Sequence, residues 1–244
     1  IFTKMSPKFE NEKVYWRYLS AILRWHEDQY FHPFKITCFK TLYVIGESHS
    51  LVSHGLHVQK SGADFVCQAK LIKGCMQWHL GNSARNQFKT QFENIICSIP
   101  KSSDVLLTVG EIDCRLDSGI LKNKSKFPKK ETKDIIKLTI DSFLAYVEDI
   151  NSQYHHRIII QGVPCPNIDT IKISEEEITS LIKVIKNFNC ELHSRSNKKG
   201  FEFLDVYKLT NRGDGFSNSL WHIDHIHLSP EGFLESWRRH ASNQ

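Results

Sequence analysis

The 244-residue sequence is short of the features that would place it in several large classes. It has no uninterrupted apolar run of about 18 residues or more, the length a membrane span needs, and no leader of the signal-peptide kind. It holds no Gly-rich phosphate loop, no internal repeat and no low-complexity tract. Its seven cysteines are an odd number. None of Cys38, Cys67, Cys75, Cys97, Cys114, Cys165 and Cys190 falls into a Cys-x-x-Cys or Cys/His zinc spacing. Most sit in apolar segments, where a free thiol behaves as a small hydrophobe, so a reducing compartment and a cytoplasmic location are the expectation. The chain begins at Ile1 rather than methionine, as expected of part of a longer, multidomain chain.

What is present is an ordinary globular composition. Hydrophobic residues make up 40% of the chain, enough for a substantial core at this length. The net charge of +5 is spread out, and the densest basic runs, residues 122–133 and Lys198-Lys199, contain few aromatics. That pattern fits a solvated face better than a groove tracking phosphates, so neither nucleic acid nor membrane is expected as a partner.

Residues 10–30 carry Val14, Tyr15, Tyr18, Leu19, Ile22, Leu23 and Trp25 at helical spacing and stop before His32-Pro33, which predicts a helix. Five short apolar or β-branched runs follow, at 41–45, 63–68, 104–110, 157–163 and 202–207. Between them lie helical patterns at about 83–98, 132–152 and 174–195, and a last helix starts near Pro230. The alternation predicts a three-layer α/β/α sandwich with a central parallel sheet of about five strands, because parallel strands need crossover connections. Residues 1–35 then form a helical segment docked on a main domain of residues 36–244. The run 122–133, with Pro128 in its middle, reads as an exposed loop.

Ligands of open α/β sheets bind at the carboxyl ends of strands. Gly46-Glu47-Ser48-His49-Ser50 ends the first strand there, and Gly110-Glu111-Ile112-Asp113 follows the third. Near the C-terminus stands Asp224-His225-Ile226-His227-Leu228. A serine hydroxyl is a poor nucleophile until an imidazole takes its proton, and an imidazole works best when a carboxylate fixes its tautomer. Ser48, His227 and Asp224 are those residue types. The same residues also fit a helix cap at Ser48 and a surface or core histidine at position 227.

Order and position along the chain resemble the SGNH (GDSL-type) hydrolase family, over about residues 41–233. Its serine follows the first strand, and its Asp-x-x-His lies near the C-terminus, here flanked by Leu228-Ser229-Pro230-Glu231-Gly232. The resemblance implies a flavodoxin-like fold and a cofactor-free serine esterase passing through an acyl-enzyme. It implies Ser48, His227 and Asp224 as catalytic residues and a small-molecule or glycan ester as substrate, with an O-acetyl group as one example. The Ser48 amide is then one oxyanion donor, and a glycine in the loop after the second strand another, Gly74 with Gly81 as the alternative.

The third block departs from the family. Its usual Gly-x-Asn-Asp supplies an asparagine donor, whereas Gly110-Glu111-Ile112-Asp113 puts isoleucine there. Arg115, Asn82 and Asn86 are the candidate replacements, with Gly110 and Asp113 keeping the block's other positions. Arg115 equally suits an ion pair with Glu111, Asp113 or Asp117. Glu47 stands where the family commonly has aspartate, a change that a structural role for that acid tolerates. His49 reaches the pocket or faces solvent, and Trp78 and Trp221 are candidate cleft walls. No second cluster completes a zinc site around the histidines of 222–227, so no metal is expected. A non-catalytic binding module and an acyltransferase are the rival readings, and a phosphate- or nucleic-acid-binding protein is a third.

Overall fold

The computed structural model describes residues 10–30 and 39–242. Period-2 alternation in the strands builds its two cores. In β1 (Lys40–Gly46), Leu42 and Val44 face one side of the sheet while Ile45 faces the other. The connection continues through a 3-10 turn (Ser48–Ser53), β2 (His57–Lys60) and β3 (Ala63–Leu71). Two short helical steps, α2 (Gln77–Gly81) and α3 (Gln87–Ser98), lead to β4 (Asp104–Thr108); α1 (Glu10–Tyr30) precedes them all. Beyond β4 come α4 (Glu111–Cys114), α5 (Gly119–Lys126), α6 (Thr132–Asn151) and β5 (Arg157–Gln161). The chain closes with α7 (Glu175–Lys198), β6 (Glu202–Leu204), α8 (Val206–Thr210) and α9 (Pro230–Ala241).

The sheet order is β2-β3-β1-β4-β5-β6. Alternate residues of β4 and β5 divide in the same way: Val105, Leu107, Ile158 and Ile160 join Phe92, Phe143 and Phe188, while Leu106 and Ile159 join Tyr18, Phe233 and Trp237. Helices therefore cover both faces, and α1 docks through Tyr18 and Ile22. The expected boundary near residue 35, like the helix stop at His32-Pro33, lies outside the described residues.

The structure extends one expectation and corrects another. First, β3, β1, β4, β5 and β6 are the expected five parallel strands, and β2 adds a sixth, pairing antiparallel with β3, so the sheet is mixed. This strand is only four residues long and turns back through Ser61 and Gly62, both at positive φ (49° and 73°), the hairpin geometry that twisted strands favour. A search for strands separated by helical crossovers passes over such a hairpin. Second, the basic run 122–133 is helical in its first part, since α5 extends to Lys126. Its anchor, buried Ile120, lies just before that run.

Gly46 places the site. It pairs with Leu71 on one side and Thr108 on the other, and a Cβ at this position would lie 2.3 Å from the Thr108 carbonyl oxygen. Only glycine lets β1 and β4 approach this closely, and the chain turns immediately afterwards. The next residues emerge between β1 and β4, neighbours whose onward connections run in opposite directions, toward β3 and toward β5, a crevice that open sheets use for ligands.

Candidate active site

Glu47 caps the 3-10 turn after β1, accepting the His49 amide at 3.3 Å and leaving Ser48 at the start of the turn. The partner turn is built by Asp224. One of its carboxylate oxygens accepts the amides of Ile226 and His227 at 2.8 and 2.7 Å, so Asp-x-x-His folds back on itself. The other oxygen accepts His227 Nδ1–H at 2.7 Å. That bond fixes the tautomer and leaves Nε2 as the acceptor, 2.8 Å from Ser48 Oγ. Cross-bonds from the Ile223 amide to the His227 carbonyl (2.9 Å) and from the Ser229 amide to the Trp221 carbonyl (2.8 Å) brace the loop. Ser48, His227 and Asp224, far apart in sequence, thus form one hydrogen-bonded chain at the carboxyl edge of β1.

With that geometry in place, known structures supply the frame. The chain is similar to a GDSL-like lipase from Bacteroides thetaiotaomicron, with a TM-score of 0.53 and 14% identity over 91% of this chain and 97% of that one. It is also similar to an extracellular lipase from Streptomyces rimosus, with a TM-score of 0.50 and 13% identity over 84% and 98% of the two chains. No protein-family model and no curated protein matches the sequence. This chain has the SGNH (GDSL-type) hydrolase fold.

Ser48 lies among buried charges. Ser48 Oγ also lies 2.7 Å from Glu47 Oε2, so its single proton faces two acceptors. His49 neither reaches a pocket nor faces solvent. It is 3% exposed, with Nδ1 2.5 Å from Glu47 Oε1 and Nε2 3.0 Å from the Ile226 carbonyl oxygen. Two oxygens facing one imidazole favour the form in which both nitrogens donate, the imidazolium. Burial alone would lower its pKa, but the Glu47 charge outweighs this and raises it to about 9. Burial opposes ionisation of Glu47 too, and the His49 cation overcomes it, bringing the carboxyl to about 2. Burial holds the His227 pKa below the ordinary imidazole value, and the His49 charge adds to this against the pull of Asp224. Asp224 lies well below the carboxylate range; its burial is outweighed by the bond and charge of His227.

Two further groups lie beside this cluster. Tyr18 of α1 stacks on the His227 ring at 4.0 Å, and its hydroxyl donates to the Ser48 carbonyl oxygen at 3.0 Å. In the sequence it reads only as an apolar helix position, and no local signal marks it. Glu111 approaches Glu47 and His49, and the ligand atoms of the three lie within 4.8 Å of one another. Glu47 and His49 are bonded to each other and Glu111 to Arg115, so this trio has little left to offer a cation.

The remaining candidates divide. Gly74 follows β3 in a loop whose start is tied to Gly46 by the Ile72 amide (2.7 Å), and its φ of 72° is one that glycine adopts without steric cost. Gly81 is otherwise employed, since a Cβ there would meet Ser142 and the Phe143 amide of α6 at 2.8 Å. Asp113 is buried and accepts the Gln77 and Trp78 amides at 2.7 and 3.1 Å, while burial pushes its pKa up to about 7. It anchors α2, and with it the Gly74 loop. Gly110, at φ 143°, makes room for the Gln77 side chain: a Cβ would stand 3.1 Å from its Nε2, which donates to the Val109 carbonyl oxygen at 2.8 Å.

Asn82 closes a turn by accepting the Ala84 amide (2.9 Å), and Asn86 caps α3 by accepting Phe88 and Lys89 (3.0 and 3.1 Å). Arg115 forms a forked pair with Glu111, at 2.6 to 3.0 Å. Its side chain also borders a cavity of about 250 Å³, walled by Val163, Pro164, Leu181 and Ile226, beside the turn that carries His227. Trp78 is half exposed above α2 and α6, and Trp221 packs beside Phe233 and α9.

Proposed function

We propose that this chain is a serine ester hydrolase acting on short acyl esters, O-acetyl groups on small molecules or glycans among them. The observation that carries the reading is the Asp224–His227–Ser48 chain, with bonds of 2.7 and 2.8 Å, at the carboxyl end of β1 in an SGNH fold. Ser48 Oγ attacks the ester carbonyl as His227 Nε2 takes its proton, and Asp224 steadies the imidazolium. The tetrahedral intermediate collapses, His227 returns the proton to the leaving alcohol, and the acyl group stays on Ser48. Water attacks that ester with His227 again as base, releasing the acid and restoring the hydroxyl. Hydrolysis and transfer share the acyl-enzyme and differ in what attacks it.

The developing oxyanion is assigned to the amides of Ser48 and Gly74. Ile112 cannot donate, and the Nε and Nη2 of Arg115 are bonded to Glu111. One missing oxyanion donor costs about a hundred- to a thousandfold in rate, so a slow or specialised enzyme is expected. A competing reading, a binding module that keeps the fold, is favoured by the same isoleucine and by the Glu47 carboxylate competing for the Ser48 proton.

Intact-protein mass after exposure to a small fluorophosphonate divides the two. A single adduct on wild type that is absent from Ser48→Ala supports the hydrolase. A folded wild type that takes no adduct removes it and leaves the binding module.

A further inference from the structure

Helix α1 packs outside the sheet yet reaches the middle of the site. Trp16, Leu19 and Leu23 on its outer side are 40–47% exposed, whereas Tyr18 is completely buried. Its ring packs with Leu42 and Val44, but its two directional contacts fall on the pair that exchanges the proton. The ring lies flat on the His227 imidazole, 4.0 Å away and tilted by 16°. The hydroxyl donates to the Ser48 carbonyl oxygen.

Two hydrogen bonds in the imidazole plane, one to Asp224 and one to Ser48, do not by themselves prevent the ring from tilting about the line that joins them. A flat ring against its face does. Resting on the acyl-transfer reading, we propose that Tyr18 is a positioning residue, fixing the plane of His227 and the backbone of Ser48 so that Nε2 and Oγ stay within reach. α1 is then part of the site. The stack also keeps water from one face of the imidazole, and burial is the main cause of the lowered His227 pKa. The charged and titratable groups facing His227 are Asp224 and His222 from its own loop, Glu47 and His49 from the turn after β1, and Tyr18 from α1. Burial raises Tyr18 far above its ordinary value, so it stays neutral while His227 titrates.

The test uses Tyr18→Phe, which keeps the stack and loses the hydrogen bond, and Tyr18→Leu, which loses both. Fluorophosphonate labelling rate against pH, kcat and KM on an acetyl ester, thermal melting and the nitrogen-shift titration of His227 are read together. Tyr18→Leu is expected to label about thirtyfold more slowly with KM within about twofold, and its acid limb to move to higher pH. Tyr18→Phe is expected to lose about three- to tenfold with the limb unmoved. A folded Tyr18→Leu that labels within threefold of wild type on an unshifted limb overturns the proposal. Should Tyr18→Leu fail to fold, Tyr18→Phe decides, and labelling at the wild-type rate overturns it. A wild type that takes no label fails the acyl-transfer reading instead. The His227 titration then carries the test, and an unmoved pKa in Tyr18→Leu sinks the positioning role.

Discussion

The two ends of the central sheet each bury charge and settle it in opposite ways. At the amino ends of the parallel strands stand Asp104, Arg157 and Glu202, with Lys60 arriving from antiparallel β2. Asp104 accepts Lys60 at 2.9 Å and Arg157 at 3.0 and 2.5 Å, and Lys60 also meets Glu202 at 2.7 Å. Each charge there faces a fixed opposite. At the carboxyl ends, one Ser48 proton lies between Glu47 at 2.7 Å and His227 at 2.8 Å. A matched network has one good arrangement and serves stability, whereas a shared proton has two and can move. One sheet thus holds a matched ionic cluster at one end and, at the other, the serine proposed as nucleophile.

Substitutions at the reactive end carry the largest expected effects. Ser48→Ala or His227→Ala should lower ester turnover by about 10⁶-fold, and Asp224→Asn by about 10⁴-fold, with melting temperatures little changed. Turnover by Ser48→Ala comparable to wild type would erase the contrast between the two ends. At the amino end the reverse is expected: Asp104→Asn removes the ion-pair partner of Arg157 and leaves Lys60 with Glu202 alone, and should cost about 2 kcal/mol by denaturant titration. Its fluorophosphonate labelling rate should match wild type, and a matching fall in that rate would mean that the ends are coupled.

The Glu47–His49 pair sharpens the comparison through pH. Glu47, lowered to about 2, contributes stability in full above the ordinary carboxylate pKa and loses it as pH falls from there through about 2. His49, raised to about 9, contributes in full below the ordinary imidazole pKa and loses its part as pH rises to about 9. Between about pH 6.5 and 9, wild type should therefore lose at least about 1 kcal/mol more than His49→Asn does, read by unfolding at both pH values. Equal losses would show that His49 is not held as a cation. The smallest effect belongs to Arg115→Ala. With the guanidinium engaged by Glu111, the acylation rate should stay within about threefold of wild type, and a loss of about a hundredfold would return Arg115 to the oxyanion hole.

Much of this frame was legible beforehand because it is local. Alternation in β1, β4 and β5 marks strands, Ser174 and Ser229 followed by acidic or proline-led turns mark the starts of α7 and α9, and Asp224 lies three residues from the histidine it orients. The hairpin strand β2 was missed because four residues carry too little periodicity, and α5 because its buried anchor falls outside the basic run. Asp113, a candidate site position, accepts the first amides of α2, a helix that the sequence reads as part of the loop after the second strand.

The sequence by itself determined the α/β alternation, the turn that delivers Ser48 and the Asp224–His227 unit, since each depends on neighbours within a few positions. Only the tertiary structure decided that Tyr18 covers His227 and reaches Ser48, that His49 is buried against the Ile226 carbonyl, and that His227 meets Ser48. Those contacts join residues 30, 177 and 179 positions apart, and the charge of a buried group depends on how it is packed as well as on its neighbours in the chain.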